Sequence, residues 1–158
     1  MNRLLKTVAA LVFVIAISGL AQAQDDARIG TWKLNVAKSK FDPAAIRKSE
    51  TRVYELSGGK VMVHVESVRS DGSKQEVSFN GTPDGKDYPY TSNPQFYADT
   101  VSVRRSGKEF IGTSKKDGKV LFTTTDSFSA DGKTMTLTSK GTNANGEPVN
   151  SVRVYEKQ

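Results

Sequence analysis

The sequence predicts an all-β fold, an antiparallel up-and-down β-barrel of about eight to ten strands. Three observations predict it. Turn signals recur along most of the chain: Asp71-Gly72, Asp84-Gly85, Asp117-Gly118, Asp131-Gly132 and Asn145-Gly146, joined by Ser57-Gly58-Gly59 and Ser106-Gly107. Glycine after Asp or Asn supplies the positive φ that tight hairpins need. Between the turns lie short runs rich in Val, Thr, Phe and Tyr, several with period-2 alternation. No amphipathic helical stretch of comparable length competes with them. A sheet of that many strands must curl or close on itself. Sequential hairpins favour a barrel over a two-sheet sandwich, whose Greek-key crossings need longer connections.

Taken in order, the first strand runs from Ile29 to Asn35, and a polar, mixed segment follows from Val36 to Lys48. Asp42-Pro43 is a turn or helix-start signal there, and Ala44 to Arg47 could form one helical turn. Ser49–Leu56 and Lys60–Val68 are strands joined through Gly58-Gly59, with Val61, Val63 and Val65 on one face. Lys74–Asn80 places Val77 and Phe79 together. Gly81 to Asp99 interrupts the rhythm with three prolines and the aromatics Tyr88, Tyr90, Phe96 and Tyr97, and reads as a long irregular connection. Thr100–Arg105, Lys108–Ser114, Lys119–Ser129, Lys133–Lys140 and Pro148–Glu156 complete the set. The pairs Val101/Val103, Leu121/Thr123, Met135/Leu137 and Val152/Val154 are expected to face inward.

Residues 1–23 read as a cleaved signal peptide rather than part of the fold. Asn2 to Lys6 is a basic n-region, Val8 to Ile17 an apolar h-region, and Ala21-Gln22-Ala23 a small-x-small cleavage site. The apolar run is about half the ~20 residues of a spanning helix, so a protein that spans no membrane is expected, periplasmic or secreted. With no cysteine it cannot carry a lipoprotein anchor or a disulfide framework. Residues 24–158 then form one domain. The net charge of +6 falls to near +4 once Arg3 and Lys6 leave, and the lysines concentrate at hairpin tips. That charge is too modest for a nucleic-acid groove.

At Gly30-Thr31-Trp32 the opening strand is similar to the Gly-x-Trp signature of lipocalins and their calycin relatives. The longer stretch Gly30 to Phe41, with Asp84 to Pro89 and Ser139 to Asn143, resembles a group of small secreted bacterial proteins with no assigned activity. The resemblance implies a barrel whose closed end is plugged by Trp32, with Arg153 of the last strand packed across the indole. The chain departs from typical lipocalins in lacking a long C-terminal helix and a disulfide.

The residues themselves leave several readings open. Trp32 either plugs the barrel or lines a ligand. His64 is the only histidine and lies mid-strand between Val63 and Val65, facing the other way. It is either a surface residue or a base or haem ligand; one His without Cys cannot make a zinc site of the usual kind. No metal or other cofactor is expected. No nucleophile elbow or phosphate-binding fingerprint is present. If Thr123 and Thr125 face inward with Leu121, the interior is partly polar.

Three functional readings follow. The first is a binding protein for a small apolar or amphipathic molecule, held by Val63, Phe79, Val103, Phe110, Leu121, Met135 and Leu137, with Tyr88, Tyr90, Phe96 and Tyr97 at the mouth. The second is a filled barrel that contacts an envelope component or enzyme through its loops; on any reading a monomer or weak dimer is expected. The third is a small isomerase or hydrolase working through His64 or a buried carboxylate. Cavity volume separates the first from the second.

Overall fold

The computed structural model describes residues 26–93 and 98–158. The signal-peptide segment and the two aromatics Phe96 and Tyr97 therefore lie outside the described residues. Eleven strands form one antiparallel sheet: β1 Gly30–Phe41, β2 Arg47–Ser57, β3 Lys60–Arg69, β4 Lys74–Gly81, β5 Asp84–Pro89, β6 Thr91–Asn93, β7 Thr100–Ser106, β8 Glu109–Lys116, β9 Lys119–Phe128, β10 Thr134–Gly141 and β11 Ser151–Lys157. Their order is β5-β7-β8-β9-β10-β11-β1-β2-β3-β4-β6. From β1 to β4 and from β7 to β11 neighbours in sequence are neighbours in space, and the first and last long strands pair, Leu34 opposite Tyr155. This is the expected up-and-down barrel, closed except at one seam between β4/β6 and β5/β7.

Asx-Gly pairs mark four of the strand connections. At Asp117-Gly118 both residues have positive φ, 49° and 73°. That is the mirror-image turn whose twist matches the strands it joins. Asp84-Gly85 is different. It sits inside β5, where the pairing with β7 shifts register between Asp84 and Asp87. The segment from Gly81 to Asp99 is thus no single irregular connection, because β5 and β6 add one strand to each side of the seam. The chain crosses the seam at Tyr90, whose N–H donates to the carbonyl of Asp99 (2.9 Å). The ring of Tyr90 meets Phe79 edge-on, with centroids 5.6 Å apart. Between Val36 and Lys48, β1 continues to Phe41 and a 3-10 turn, Pro43–Ala45, follows.

Inward side chains come every second residue, as the pleat dictates. At one end of the barrel they are apolar: Trp32, Leu34, Tyr54, Val61, Val63, Val65, Met135, Leu137 and Tyr155 form the main core. Val101, Val103 and Phe110 make a second cluster beside it. At the other end Ala45, Phe122 and Val149 form a small cap beneath the 3-10 turn.

In two strands the inward set is not the one the alternation predicts. In β9, Ser114 pairs with Phe122 but Lys115 pairs with Val120, so Leu121 is an extra residue in a bulge. A one-residue slip exchanges the two faces. Phe122, Thr124 and Asp126 line the interior, while Thr123 is exposed and Leu121 packs only against the end cap. In β11, Val152 is exposed, and Ser151, Arg153 and Tyr155 are the inward residues. The rule that apolar means inward fails there because the interior at that depth is polar.

Candidate functional site

Between the apolar end and the cap lies a belt of buried charge. Its centre is Glu50 on β2, which is 3% exposed. The Tyr155 hydroxyl donates to Oε1 at 2.6 Å and Arg52 Nη1 donates to the same oxygen at 2.9 Å. Arg153 Nη1 reaches both carboxylate oxygens at 3.2–3.3 Å, and Arg47 Nε approaches Oε2 at 3.9 Å. Each arginine is also held from behind. Arg52 Nε donates to the Tyr54 hydroxyl (3.0 Å), Arg153 Nη2 to Ser139 Oγ (3.1 Å), and Arg47 Nη1 to the carbonyl of Ala45 (2.9 Å).

The local sequence explains this convergence. β2 and β11 flank β1 on its two sides, and both carry the tetrapeptide Arg-Val-Tyr-Glu, at 52–55 and 153–156. In each copy the Arg and Tyr share the inward face. Two Arg-x-Tyr pairs are thereby aimed at the space that Glu50 enters.

The charges do not balance. Burial pushes the Glu50 carboxyl up, but Arg153, then Arg52, the Tyr155 hydrogen bond and Arg47 outweigh it and hold the group at about 2. Glu50 is therefore ionised at neutral pH. Asp126 on β9 is also buried; burial raises its pKa, opposed by Arg52, Arg28 and Arg153. Three guanidiniums thus face Glu50, and even with Asp126 counted as a second carboxylate the cations exceed the acids. Arg153 Nε has no hydrogen-bond partner among the described residues. A fourth buried arginine, Arg28, is neutralised by its own neighbour. Its Nε and Nη2 bond the Asp26 carboxylate at 3.0 and 2.7 Å, and its guanidinium lies 4.0 Å from the centroid of Phe110.

The belt opens onto an interior cavity of about 110 Å³. Its apolar wall includes Val65, Val77, Phe79, Val101, Val103 and Phe122. Of the residues expected to hold a ligand, Phe79, Val103 and Leu137 line this space. Val63, Phe110 and Met135 are buried in the packed clusters beside it, and Leu121 is in the bulge. Tyr90 lines the cavity and bonds Ser114 Oγ at 3.2 Å. Tyr88 sits at the seam instead, its ring against Gly81 and its hydroxyl 2.8 Å from Thr82 Oγ1.

Trp32 is fully buried in the apolar core, and its Nε1 donates to the carbonyl of Arg28 at 2.7 Å. The cation over its ring is Lys157, with Nζ 5.2 Å from the centroid, and not Arg153. Register is the reason: Trp32 pairs with Lys157, whereas Arg153 lies four residues earlier, at the depth of the belt. His64 is on the outer face, 3.3 Å from Glu66. Among the described residues no group of His, Asp and Glu is placed to hold a metal, and no helix is long and apolar enough to cross a membrane.

No family model and no curated protein matches the chain. Solved structures do. A zebrafish ileal bile acid-binding protein, crystallised with cholic acid, aligns at 13% identity and a TM-score of 0.47, over 84% of this chain and 99% of its own. The siderocalin Ex-FABP, described as functioning through dual ligand specificities, aligns at 14% identity and a TM-score of 0.34, over 84% and 74%. Values this low carry nothing about what this chain binds. The nearly closed antiparallel barrel itself is the architecture that the Gly-x-Trp opening implies.

Proposed function

We propose that the barrel binds a small amphipathic molecule bearing an acidic group. The acid is held at Arg47, Arg52 and Arg153, and the apolar remainder lies against Val65, Val77, Phe79 and Val103. The observation that carries this reading is the charge surplus of the belt. Net positive charge in a low-dielectric interior is costly, and an incoming anion relieves that cost. Burial of the ligand's apolar surface adds roughly 25 cal/mol per Å² before the costs of association. The signal-like residues 1–23 support a role in the periplasm or outside the cell.

One observation favours the filled barrel that works through its loops. A cavity of about 110 Å³ is small beside the several hundred that enclose a drug-sized ligand. The acid-binding reading accordingly takes a short ligand, or the acidic end of a longer one. Native mass spectrometry of the protein purified without refolding separates the two. Acid binding predicts an added mass that leaves on denaturation, or that appears after incubation with short-chain fatty acids. A bare mass under both conditions supports the filled barrel.

A further inference from the structure

Asp126 stands apart from the hydrogen bonds around Glu50, although Arg52, Arg28 and Arg153 act on its charge. It is 8% exposed, its side chain lines the cavity, and its Oδ1 meets no hydrogen-bond donor among the described residues. Two residues earlier on the same face of β9 is Thr124, which also lines the cavity. Opposite Thr124 on β8 stands Gly112. No unusual backbone angle calls for glycine there. What the glycine provides is room for the Thr124 hydroxyl at the cavity wall: a Cβ at position 112 would lie 2.5 Å from Thr124 Oγ1. A buried acceptor without a donor, a neighbouring hydroxyl and a missing side chain thus adjoin in one wall.

We propose that Asp126 and Thr124 form a second polar subsite, opened by Gly112, that takes a hydroxyl on the body of the ligand. This rests on the acid-binding reading and narrows it to a hydroxy acid. A hydroxyl fits because it donates to Asp126 Oδ1 and also exchanges a hydrogen bond with Thr124. An amine would bring a further cation into a space already holding three guanidiniums. Position is constrained as well. Asp126 and Arg153 pair with Leu137 from its two sides. Their backbones are two strand spacings apart, roughly 10 Å. The hydroxyl is therefore remote from the acid and not on the adjacent carbon.

The test compares hexanoate, 6-hydroxyhexanoate and 2-hydroxyhexanoate, short acids suited to the small cavity, in titrations followed by backbone amide chemical shifts. The 6-hydroxy acid is expected to bind roughly tenfold tighter than hexanoate, the gain of one hydrogen bond to a charged or polar buried partner. The 2-hydroxy acid should show no such gain. In Asp126→Leu and in Thr124→Val the ratio of 6-hydroxyhexanoate to hexanoate affinity should fall to about one. Thermal melts of both variants check that they fold, and Gly112→Ala, which narrows the subsite, should lower the same ratio. If hexanoate binds but the 6-hydroxyl adds nothing, or its advantage survives in both variants, the subsite is overturned and the acid site stands. If none of the three acids binds, the acid site falls and the subsite with it.

Discussion

The two halves of the barrel interior are built on the same strands and do different work. β2 runs inward through Glu50, Arg52 and Tyr54, and β11 through Ser151, Arg153 and Tyr155. β3 and β10 pass in the same way from Val63 to Ser67 and from Met135 to Ser139. At the Trp32 end, packing dominates: the largest fully buried side chains, Trp32, Tyr155, Met135, Leu137 and Val63, are all there. In the belt, ion pairs and hydrogen bonds hold arginines around a carboxylate. Apolar burial is the larger source of stability in proteins, whereas a buried ion network often contributes no more than well-packed hydrophobes of its own size. The difference assigns stability to the apolar end and ligand selection to the belt.

Breaking each half separates these roles. Trp32→Ala removes the largest fully buried side chain and should destabilise the fold by about 3–5 kcal/mol, read as a shift in denaturant midpoint. Glu50→Gln leaves Arg47, Arg52 and Arg153 without their counter-charge and should cost about 3–5 kcal/mol. Added formate should restore part of that loss by supplying a carboxylate; it can do nothing for Trp32→Ala. In contrast, Glu50→Leu, Arg47→Met, Arg52→Met and Arg153→Met made together should leave the melting temperature close to native, since Glu50 and the three cations around it are removed at once. A large loss of stability in that quadruple variant would show that the belt is structural.

The pH dependence sharpens the same contrast. The carboxyl of Glu50 sits near 4.5 in the unfolded chain and at about 2 in the fold. A depressed folded value stabilises above the unfolded one and is lost as pH falls from about 4.5 toward 2. The shift corresponds to roughly 3 kcal/mol. Asp126 works in the opposite sense. Its folded pKa is raised from 3.8, so its ionisation weakens the fold as pH rises above that value. Native protein should therefore lose more stability than Glu50→Gln in urea titrations between pH 5 and about pH 3. Parallel losses in the two proteins would remove Glu50 from the account. The smallest effect belongs to Lys157→Ala, which removes an exposed cation from the Trp32 ring and should cost about 0.5–1 kcal/mol.

How much of this was legible follows the same division. Where the interior is apolar, alternation reveals it: Val61/Val63/Val65, Val101/Val103 and Met135/Leu137 are inward as expected. Where the interior is polar, the same rule misleads. Val152 and Val154 are the apolar members of β11, yet the inward positions are Arg153 and Tyr155. Leu121 misleads for another reason, since a bulge leaves no mark in periodicity until its register is seen. The belt did have a sequence signal, the repeated Arg-Val-Tyr-Glu of β2 and β11. Its meaning depends on both strands flanking β1, and that adjacency across a hundred residues is a property of the closed barrel. Glu50 and Asp126 carry no local signature, because a carboxylate in a strand reads as a solvated face until the strand's inner side is known.

The most direct measurement compares two ligands of equal length, hexanoate and hexanol, in titrations against the native protein and the Glu50→Leu/Arg47→Met/Arg52→Met/Arg153→Met variant. Selection by the belt predicts that native protein binds the acid at least tenfold tighter than the alcohol, and that the variant reverses this order while staying folded. Equal affinity for acid and alcohol in the native protein, or an acid preference that persists without the three arginines, would contradict it.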